Sequence, residues 1–272
     1  MKSLIFWRTP AQISGIIILA VAVLVYFVCP LMAPAVALLY ILLCVLGCFF
    51  PQTNFFLPVI NRGKTGKNFV ALTFDDGPSE PVTKQILDLL DKYSVKATFF
   101  VSGINASRHP EIIQDIIARG HAIGNHSYSH NPFLMLKSYR TLYREIAEAQ
   151  RVLREMGIEA KAFRPPVGIV NPKLSSVLDK LGMYCITFNC RAFDAGNFRV
   201  KDIAKNILKK VKSDDIILLH DVSARQKKDN AVFLSEVDIM LAGIILKGLT
   251  IVPLSVLINK QVMIVENPLE SL

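Results

Sequence analysis

An uncharged run of 53 residues, from 9 to 61, constrains this 272-residue chain more than any other feature. No Asp, Glu, Lys or Arg occurs between Arg8 and Arg62, and all 22 acidic residues of the chain follow the run. It contributes most of the 52% hydrophobic content and of the mean hydropathy of +0.40, both of which are too high for a wholly soluble protein. We therefore expect residues 1–61 to anchor the chain in a membrane and the remainder to form one domain of ordinary size.

The run contains two apolar segments, 11–29 and 31–50, separated by a break between Pro30 and Pro34. Because a bilayer core takes about 20 helical residues, these segments predict a transmembrane helical hairpin. A cleaved signal peptide is the alternative, since Ala33-Pro34-Ala35 resembles a small-residue cleavage site. That alternative is less favoured, because cleavage there would leave a chain that begins with a second apolar segment.

The charges that flank the two segments predict how the hairpin is oriented. Lys2 and Arg8 precede the first segment, Arg62, Lys64 and Lys67 follow the second, and the turn between the segments has no charge. Since positively charged residues favour the cytoplasmic side, both ends of the hairpin are predicted to lie in the cytoplasm.

The basic surplus of the chain does not predict a nucleic-acid-binding protein. Behind the anchor the chain has 29 basic and 22 acidic residues, and the basic ones are scattered rather than interleaved with aromatic residues in a stripe. A nucleic-acid partner is therefore not expected. Attraction to anionic lipid headgroups and an ordinary solvated surface both remain open.

From residue 69 onward, short β-rich segments alternate with amphipathic ones. We predict strands over 69–73, 97–101, 122–125, 184–189, 216–220 and 250–253, and helices over 82–93, 110–119, 139–156, 172–181, 200–210 and 233–246. Repeated βα units of this kind predict a parallel sheet, either open or closed into a barrel. We therefore divide the rest of the chain into a linker (62–68), a globular domain (69–258) and a C-terminal tail (259–272).

Polar side chains with metal-binding or acid–base chemistry follow three of the predicted strands. Asp75 and Asp76 come after the first strand, His126 and His130 after the third, and His220 ends the fifth. Two adjacent carboxylates repel each other and need a cation or unequal protonation, and a His-x-x-x-His pair can bind one metal ion. Because the carboxyl ends of parallel strands meet at one edge of a sheet, these groups are predicted to share a site.

Each group taken alone also has a structural interpretation. Asp-Gly-Pro after Asp75 is a turn signature, and Arg164 precedes a rigid Pro-Pro turn where a surface residue would also fit. His109 and His121 lie at the starts of predicted elements, where a structural role is the better interpretation. The joint occurrence of the other groups at strand ends is what favours a functional site.

Four ordered motifs resemble those of the polysaccharide deacetylase family, which is also called the NodB-homology domain or carbohydrate esterase family four. They are Thr73-Phe-Asp-Asp-Gly-Pro78, His126-Ser-x-x-His130, Arg164-Pro-Pro-x-Gly168 and Leu218-x-His220-Asp221. The resemblance spans roughly residues 69–254 and implies a distorted (β/α)7 barrel behind the N-terminal hairpin. It also implies metal-dependent removal of an N-acyl group, usually acetyl from N-acetylglucosamine.

The resemblance assigns roles to the polar residues that follow the strands. Asp76, His126 and His130 would bind one divalent metal ion, with Zn²⁺ expected. Asp75 would be the general base that takes a proton from the attacking water. Arg164 would orient Asp75 and keep it ionised, because a neighbouring cation favours the charged carboxylate.

The same resemblance assigns the residues that handle the leaving group and the acyl group. His220 would protonate the leaving amine, and Asp194 would hydrogen-bond this histidine and tune it. The backbone N–H of Val167, after the turn that contains Pro166, would help to hold the oxyanion. Leu218 would line the small acyl pocket.

Three positions depart from the family pattern. The fourth motif in the family's own order, which is not among the four quoted above, has Asp, two residues and Asp-Trp. This chain has Arg191 in place of the first acid and Ala195 in place of the tryptophan. Loss of the indole is expected to widen or reshape the acyl pocket. Val167 replaces the usual aromatic residue, but its expected role uses the backbone.

The sequence thus predicts a multi-pass protein of a bacterial cell membrane that hydrolyses the N-acyl group of an amino sugar. The substrate would be a polysaccharide, an oligosaccharide or a lipid-linked glycan, and the domain is predicted to be cytoplasmic, with a periplasmic or extracellular domain as the alternative. A catalytically silent glycan-binding or scaffold protein is the alternative function. A zinc peptidase is less favoured, because no Glu lies within the His-x-x-x-His pair.

Overall fold

The computed structural model describes residues 9–194, 196–224 and 229–266, and this part of the chain forms ten α-helices and eleven β-strands. Ala195, Lys2, Arg8 and residues 267–272 of the predicted tail lie outside the described residues. The helices are α1 Pro10–Val28, α2 Ala33–Phe49, α3 Val82–Lys92, α4 Gly103–Arg108, α5 Pro110–Ala118, α6 Tyr139–Glu155, α7 Pro172–Leu181, α8 Ile203–Lys210, α9 Asp229–Leu246 and α10 Leu254–Ile258. The strands are β1 Val59–Ile60, β2 Phe69–Asp75, β3 Thr98–Val101, β4 Ala122–Asn125, β5 Ile158–Ala160, β6 Ala162–Phe163, β7 Tyr184–Ile186, β8 Cys190–Arg191, β9 Ile216–His220, β10 Thr250–Ile251 and β11 Met263–Val265.

The strands build one curled parallel sheet in the order β1-β7-β6-β4-β3-β2-β9-β8. β10 pairs with the start of β2, and β11 pairs with β5 in a separate antiparallel ribbon. β1 and β8 are the two ends of the sheet, so the barrel has an open seam between them. The parallel α/β architecture predicted from the sequence is confirmed.

Buried apolar runs and amphipathic helices explain this arrangement. In β2, every residue after Phe69 is buried, as expected for a strand covered on both faces in a parallel sheet. The covering helices turn an apolar stripe inward; in α6, for example, Leu142, Ile146 and Leu153 are fully buried. Because all strands of the main sheet are parallel, their carboxyl ends meet on one side of it, where the polar groups lie.

The uncharged run folds into two consecutive apolar helices. The segments Pro10–Val28 and Pro30–Phe49 are 19 and 20 residues long, and each has the length and hydropathy of a helix that can cross a membrane. Among their residues only Ala11 and Gly47 are buried, so neither is a core helix of the globular domain. The two helices pack side by side, and Tyr40 donates a hydrogen bond across the pair to the Ala11 carbonyl oxygen at 2.9 Å.

The end of α2 is joined directly to the sheet. The Val170 N–H, which follows the Pro-Pro turn, donates to the Cys48 carbonyl oxygen in the last turn of α2 at 3.1 Å. The chain then continues into β1, whose Val59 N–H donates to the Asn54 side chain at 2.7 Å. β1 lies within residues 1–61, so the sheet begins before the linker that the sequence predicts. The division into anchor, linker, domain and tail otherwise stays a prediction.

Five strands and two short helices have no counterpart in the sequence prediction. The strands are β1, β5, β6, β8 and β11, and the helices are α4 and α10. The strands are two or three residues long and the helices five or six, which is too short for either periodicity to be recognised. Their positions are fixed by tertiary pairing, and β6 matters most because it carries the chain into Arg164.

Candidate active site

Two adjacent carboxylates lie at the carboxyl end of β2 and point to different partners. Asp75 ends the strand and is 4% exposed. Asp76 follows in a left-handed conformation with φ of 76°, which Asp tolerates better than most residues. The two carboxylates therefore have different main partners, although both lie near His126 Nε2, at 3.8 Å from Asp75 and 3.3 Å from Asp76.

Arg164 is fully buried and holds Asp75 in place. Its Nη1 lies 2.6 Å from Asp75 Oδ1 and 2.8 Å from the Thr73 hydroxyl, while Nη2 donates to the Thr187 carbonyl oxygen at 3.1 Å. The guanidinium carbon also lies 4.0 Å from the centre of the Phe100 ring. A buried cation needs a paired anion, and Asp75 supplies it. The surface interpretation of Arg164 is therefore wrong.

Asp76, His126 and His130 converge on one point. His130 Nε2 lies 2.9 Å and His126 Nε2 lies 3.3 Å from Asp76 Oδ1. His126 Nδ1 donates to the Arg164 carbonyl oxygen at 2.7 Å, which fixes the proton on Nδ1 and leaves Nε2 free as a ligand atom. The three ligand atoms lie within 4.8 Å of one another, so one cation can be held between them.

The chemistry of these donors fits a divalent metal ion. Burial raises the pKa of Asp76, but hydrogen bonds and charge from His126 and His130 outweigh it and hold this pKa well below its usual range. The carboxylate is therefore ionised at neutral pH. Two imidazole nitrogens and one carboxylate oxygen form a ligand set of the kind found at catalytic zinc centres.

A second histidine–carboxylate pair lies on β9 and on the segment after β8. His220 Nδ1 lies 2.7 Å from Asp194 Oδ2. Burial lowers the pKa of His220, but the hydrogen bond and charge of Asp194, with the charges of Asp75 and Asp76, raise it to about 9. His220 is therefore a protonated acid at neutral pH.

His121, in contrast, has the structural role that the sequence favours. It is buried and accepts a hydrogen bond from the Ala97 N–H, and burial lowers its pKa to about 4, so it is neutral at pH 7.

A cavity of about 780 Å³ joins these groups. Of the residues that the sequence singles out, the structure brings to this cavity Asp75, Asp76, His126, His130, Asp194, His220, Val167, Leu218 and Arg191. Val167 has φ of 53° and an exposed side chain, and Leu218 is nearly buried in β9. Pro166 is buried in the turn and does not line the cavity, and Arg164 lies behind Asp75.

Sequence reasoning missed several residues of the site. Phe188, Phe193 and Phe198 line the cavity from loop segments, where no periodicity points to them. Asp221 accepts hydrogen bonds from the Gly77 N–H at 3.0 Å and from the Thr83 hydroxyl at 2.7 Å, and burial raises its pKa to about 7. It braces the turn that follows Asp76, and a Cβ at Gly77 would collide with it. The sequence signal that could have identified Asp221 is its position directly after His220 in the motif Leu218-x-His220-Asp221.

At its carboxyl ends the curled parallel sheet carries two histidines and a carboxylate that converge on one point, and a separate acid. This combination is typical of a metal-dependent hydrolase.

Comparisons with known proteins agree with this class. The sequence profile described as polysaccharide deacetylase matches residues 62–186. The chain is 33% identical over 157 residues to a peptidoglycan-N-acetylglucosamine deacetylase from Bacillus cereus, covering 57% of this chain and 73% of the relative. It is 34% identical over 168 residues to a chitooligosaccharide deacetylase from Sinorhizobium fredii, covering 61% of this chain and 78% of the relative.

The structure resembles the crystal structure of the Bc1960 peptidoglycan N-acetylglucosamine deacetylase. The TM-score is 0.66 at 29% identity, and the match covers 77% of this chain and 95% of that one. The chain therefore belongs to the polysaccharide deacetylase family, the NodB-homology or carbohydrate esterase family four proteins. The (β/α)7 fold expected from the motifs is confirmed.

The raised pKa of His220 predicts how activity depends on pH. If the protonated imidazole is the acid, activity falls as pH rises through about 9. Asp194→Asn removes the charge that raises this pKa, so the alkaline limb of kcat/KM should move down by about 1–3 pH units. Asp88→Asn, which removes a remote and exposed carboxylate, serves as the control. An alkaline limb that does not move in Asp194→Asn would contradict this role.

Proposed function

We propose that this protein is a membrane-anchored, metal-dependent deacetylase that hydrolyses the N-acyl group of an amino sugar in a glycan. The acyl group that we expect is acetyl. The observation that carries the proposal is the shared cavity. One side holds Asp76, His126 and His130, and Asp75 and His220 reach the same space with buried partners of their own. An acid, a base and a metal centre around one cavity are what hydrolysis of a stable amide requires.

Asp76, His126 and His130 would hold one divalent cation, with Zn²⁺ expected from the nitrogen and oxygen donors. Bound there, the cation would supply Lewis-acid activation of the acyl carbonyl and of the attacking water. The protein prepares the ligands in advance, since the Arg164 carbonyl oxygen fixes the tautomer of His126. This bond leaves Nε2 facing Asp76 and His130, so His126 would need no rearrangement to bind the cation.

Asp75 acts as the general base in this proposal. Arg164 Nη1 donates to Asp75 Oδ1 and to the Thr73 hydroxyl, and this shared donor fixes the carboxylate. Asp75 Oδ2 lies 3.8 Å from His126 Nε2, so its free oxygen faces the metal centre. The base would therefore be placed to take a proton from the attacking water.

His220 acts as the general acid and gives its proton to the departing amine. An amine anion is a very poor leaving group, so the amide needs this proton. The protonated state that Asp194 favours supplies it. The backbone of Val167 is assigned to the oxyanion and Leu218 to the acyl pocket, with Pro166 shaping the turn that presents Val167.

The membrane part of the proposal has α1 and α2 crossing the bilayer as a hairpin. The uncharged turn between them and the basic residues on their outer ends favour both ends on the cytoplasmic side. The bond between Val170 and Cys48 supports a domain that lies against the membrane surface rather than on a long tether.

Two substitutions separate the metal ligand from the base. His126→Ala should lower the bound zinc from one ion per chain to near zero and abolish activity. Asp75→Asn should retain the zinc and lose turnover by about 10²–10⁴-fold, because only the base is removed. Zinc content by mass spectrometry and release of acetate from an N-acetylglucosamine glycan are the two measurements.

His109→Ala removes a histidine outside the cavity and should retain both zinc and activity. Near-normal turnover in Asp75→Asn would show that the base is assigned wrongly. A folded, zinc-loaded wild-type protein that is inert on every acylated amino sugar would favour the silent glycan-binding scaffold.

The topology has its own test. Protease added to intact spheroplasts should leave the catalytic domain undigested, and digestion should begin only after lysis. Digestion without lysis would place the domain outside the cell and contradict the cytoplasmic hairpin. A periplasmic reporter protein that is digested in both samples confirms that the protease is active.

A further inference from the structure

A second cavity of about 430 Å³ adjoins the catalytic cavity at the open seam of the barrel. Asn61, directly after β1, and Arg191, in β8, both line it, and these strands are the two ends of the sheet. The two cavities share five lining residues, which are Val167, Gly168, Phe188, Arg191 and Phe193. They therefore adjoin along a shared wall, close enough for one extended ligand to reach both.

The far side of this second cavity is made by the end of the apolar anchor. Phe49, the last residue of α2, lines it together with the next three residues, which end at Gln52. The contact is fixed by the hydrogen bond from Val170 to Cys48, one residue before Phe49. A ligand that enters the second cavity from the catalytic cavity therefore approaches the point where the apolar segment ends.

The charge of the second cavity favours an anion. Its described lining includes two cationic side chains, Arg191 and Lys210, and no carboxylate. Both cations lie against the same aromatic ring, with Arg191 Cζ 4.4 Å and Lys210 Nζ 4.2 Å from the centre of Phe193. In the parts of the chain that the structure describes, neither forms an ion pair with an acidic residue. Both charges are thus available to a ligand.

We propose that the second cavity binds the phosphate of a lipid-linked amino sugar, whose sugar lies in the catalytic cavity and whose lipid continues along the end of α2 into the bilayer. Arginine matches phosphate oxygens with paired donors, and lysine adds a point charge. The inference rests on the proposed function and on membrane insertion of the two helices.

The order of chemical groups along the two adjoining cavities argues for this class of substrate. The catalytic centre acts on an acylamino group, the next group outward meets two cations, and the last meets the end of an apolar helix. A sugar joined to a lipid through a phosphate carries these three groups in this order. A chitin-like oligosaccharide is neutral and has nothing to offer the cations, and a peptidoglycan strand, although it carries carboxylates, has nothing to offer the apolar helix.

Three matched compounds test the assignment with the full chain in phosphatidylcholine nanodiscs. They are decyl N-acetylglucosaminyl phosphodiester, decyl N-acetylglucosaminide without the phosphate, and N-acetylglucosamine 1-phosphate without the lipid. The expected kcat/KM for acetate release is highest for the first compound, by about tenfold or more over each of the others. Equal values for the first two would overturn the phosphate site, and equal values for the first and third would overturn the lipid assignment.

Neutral substitutions at the two cations locate the effect. Lys210→Gln should raise KM for the phosphodiester about tenfold and leave KM for the phosphate-free glycoside unchanged. Arg191 also lines the catalytic cavity, so Arg191→Gln should raise KM for both substrates, and by about tenfold more for the phosphodiester. Both side chains are exposed, so neither change should unfold the domain. Lys209→Gln removes the neighbouring exposed charge on α8, which does not line the cavity, and should change neither KM. Equal effects on both substrates would contradict a phosphate contact.

A binding measurement keeps this inference separate from the proposed activity. Decyl phosphate should bind the nanodisc-embedded protein more tightly than decanol, and Arg191→Gln and Lys210→Gln should remove the difference. If the wild-type protein is inert on all three sugars but retains this binding, the proposed deacetylation fails and the phosphate site stands. If deacetylation is found and decyl phosphate has no advantage over decanol, the phosphate site fails and the activity stands.

Discussion

The buried ion pair between Arg164 and Asp75 is the constraint on which the rest of the site depends. A guanidinium without solvent access is tolerated only where anions and carbonyl groups satisfy it, and removing one partner of such a pair is strongly destabilising. The same residue serves two groups at once, because its side chain fixes Asp75 and its backbone carbonyl fixes His126. The proposed base and one metal ligand are therefore positioned by a single residue at the end of a two-residue strand, β6.

The two apolar helices and the proposed active site are parts of one connected arrangement. The turn that carries Val167 continues to Val170, which is hydrogen-bonded to the last turn of α2. After α2 ends at Phe49, the polypeptide enters the sheet at Val59 in β1. This short connection leaves little freedom between the helices and the cavity. If α1 and α2 lie in a bilayer, the cavity is held at its surface. This geometry distinguishes the protein from one in which a long linker carries a free domain.

Much of this could be predicted from the sequence, and what could not has physical reasons. β2, β4 and β9 are long enough to be recognised, so the polar residues that follow them were correctly expected to converge. The burial of Arg164 could not be predicted, because it depends on the pairing of β6 with β4 and β7, and a two-residue strand has no period. The Phe residues around the cavity lie in loops, and the brace from Asp221 to Gly77 joins positions far apart in the chain. Long-range contacts of this kind leave no local signal.

The most direct test of the account is X-ray absorption at the zinc edge of the full-length protein loaded with one equivalent of Zn²⁺. The account predicts two imidazole nitrogens with oxygen donors at about 2.0–2.2 Å and no sulfur. His126 and His130 supply the two imidazoles, and Asp76 supplies an oxygen. A spectrum with one imidazole or none, or with a sulfur shell at about 2.3 Å, would contradict the centre on which the proposed chemistry rests.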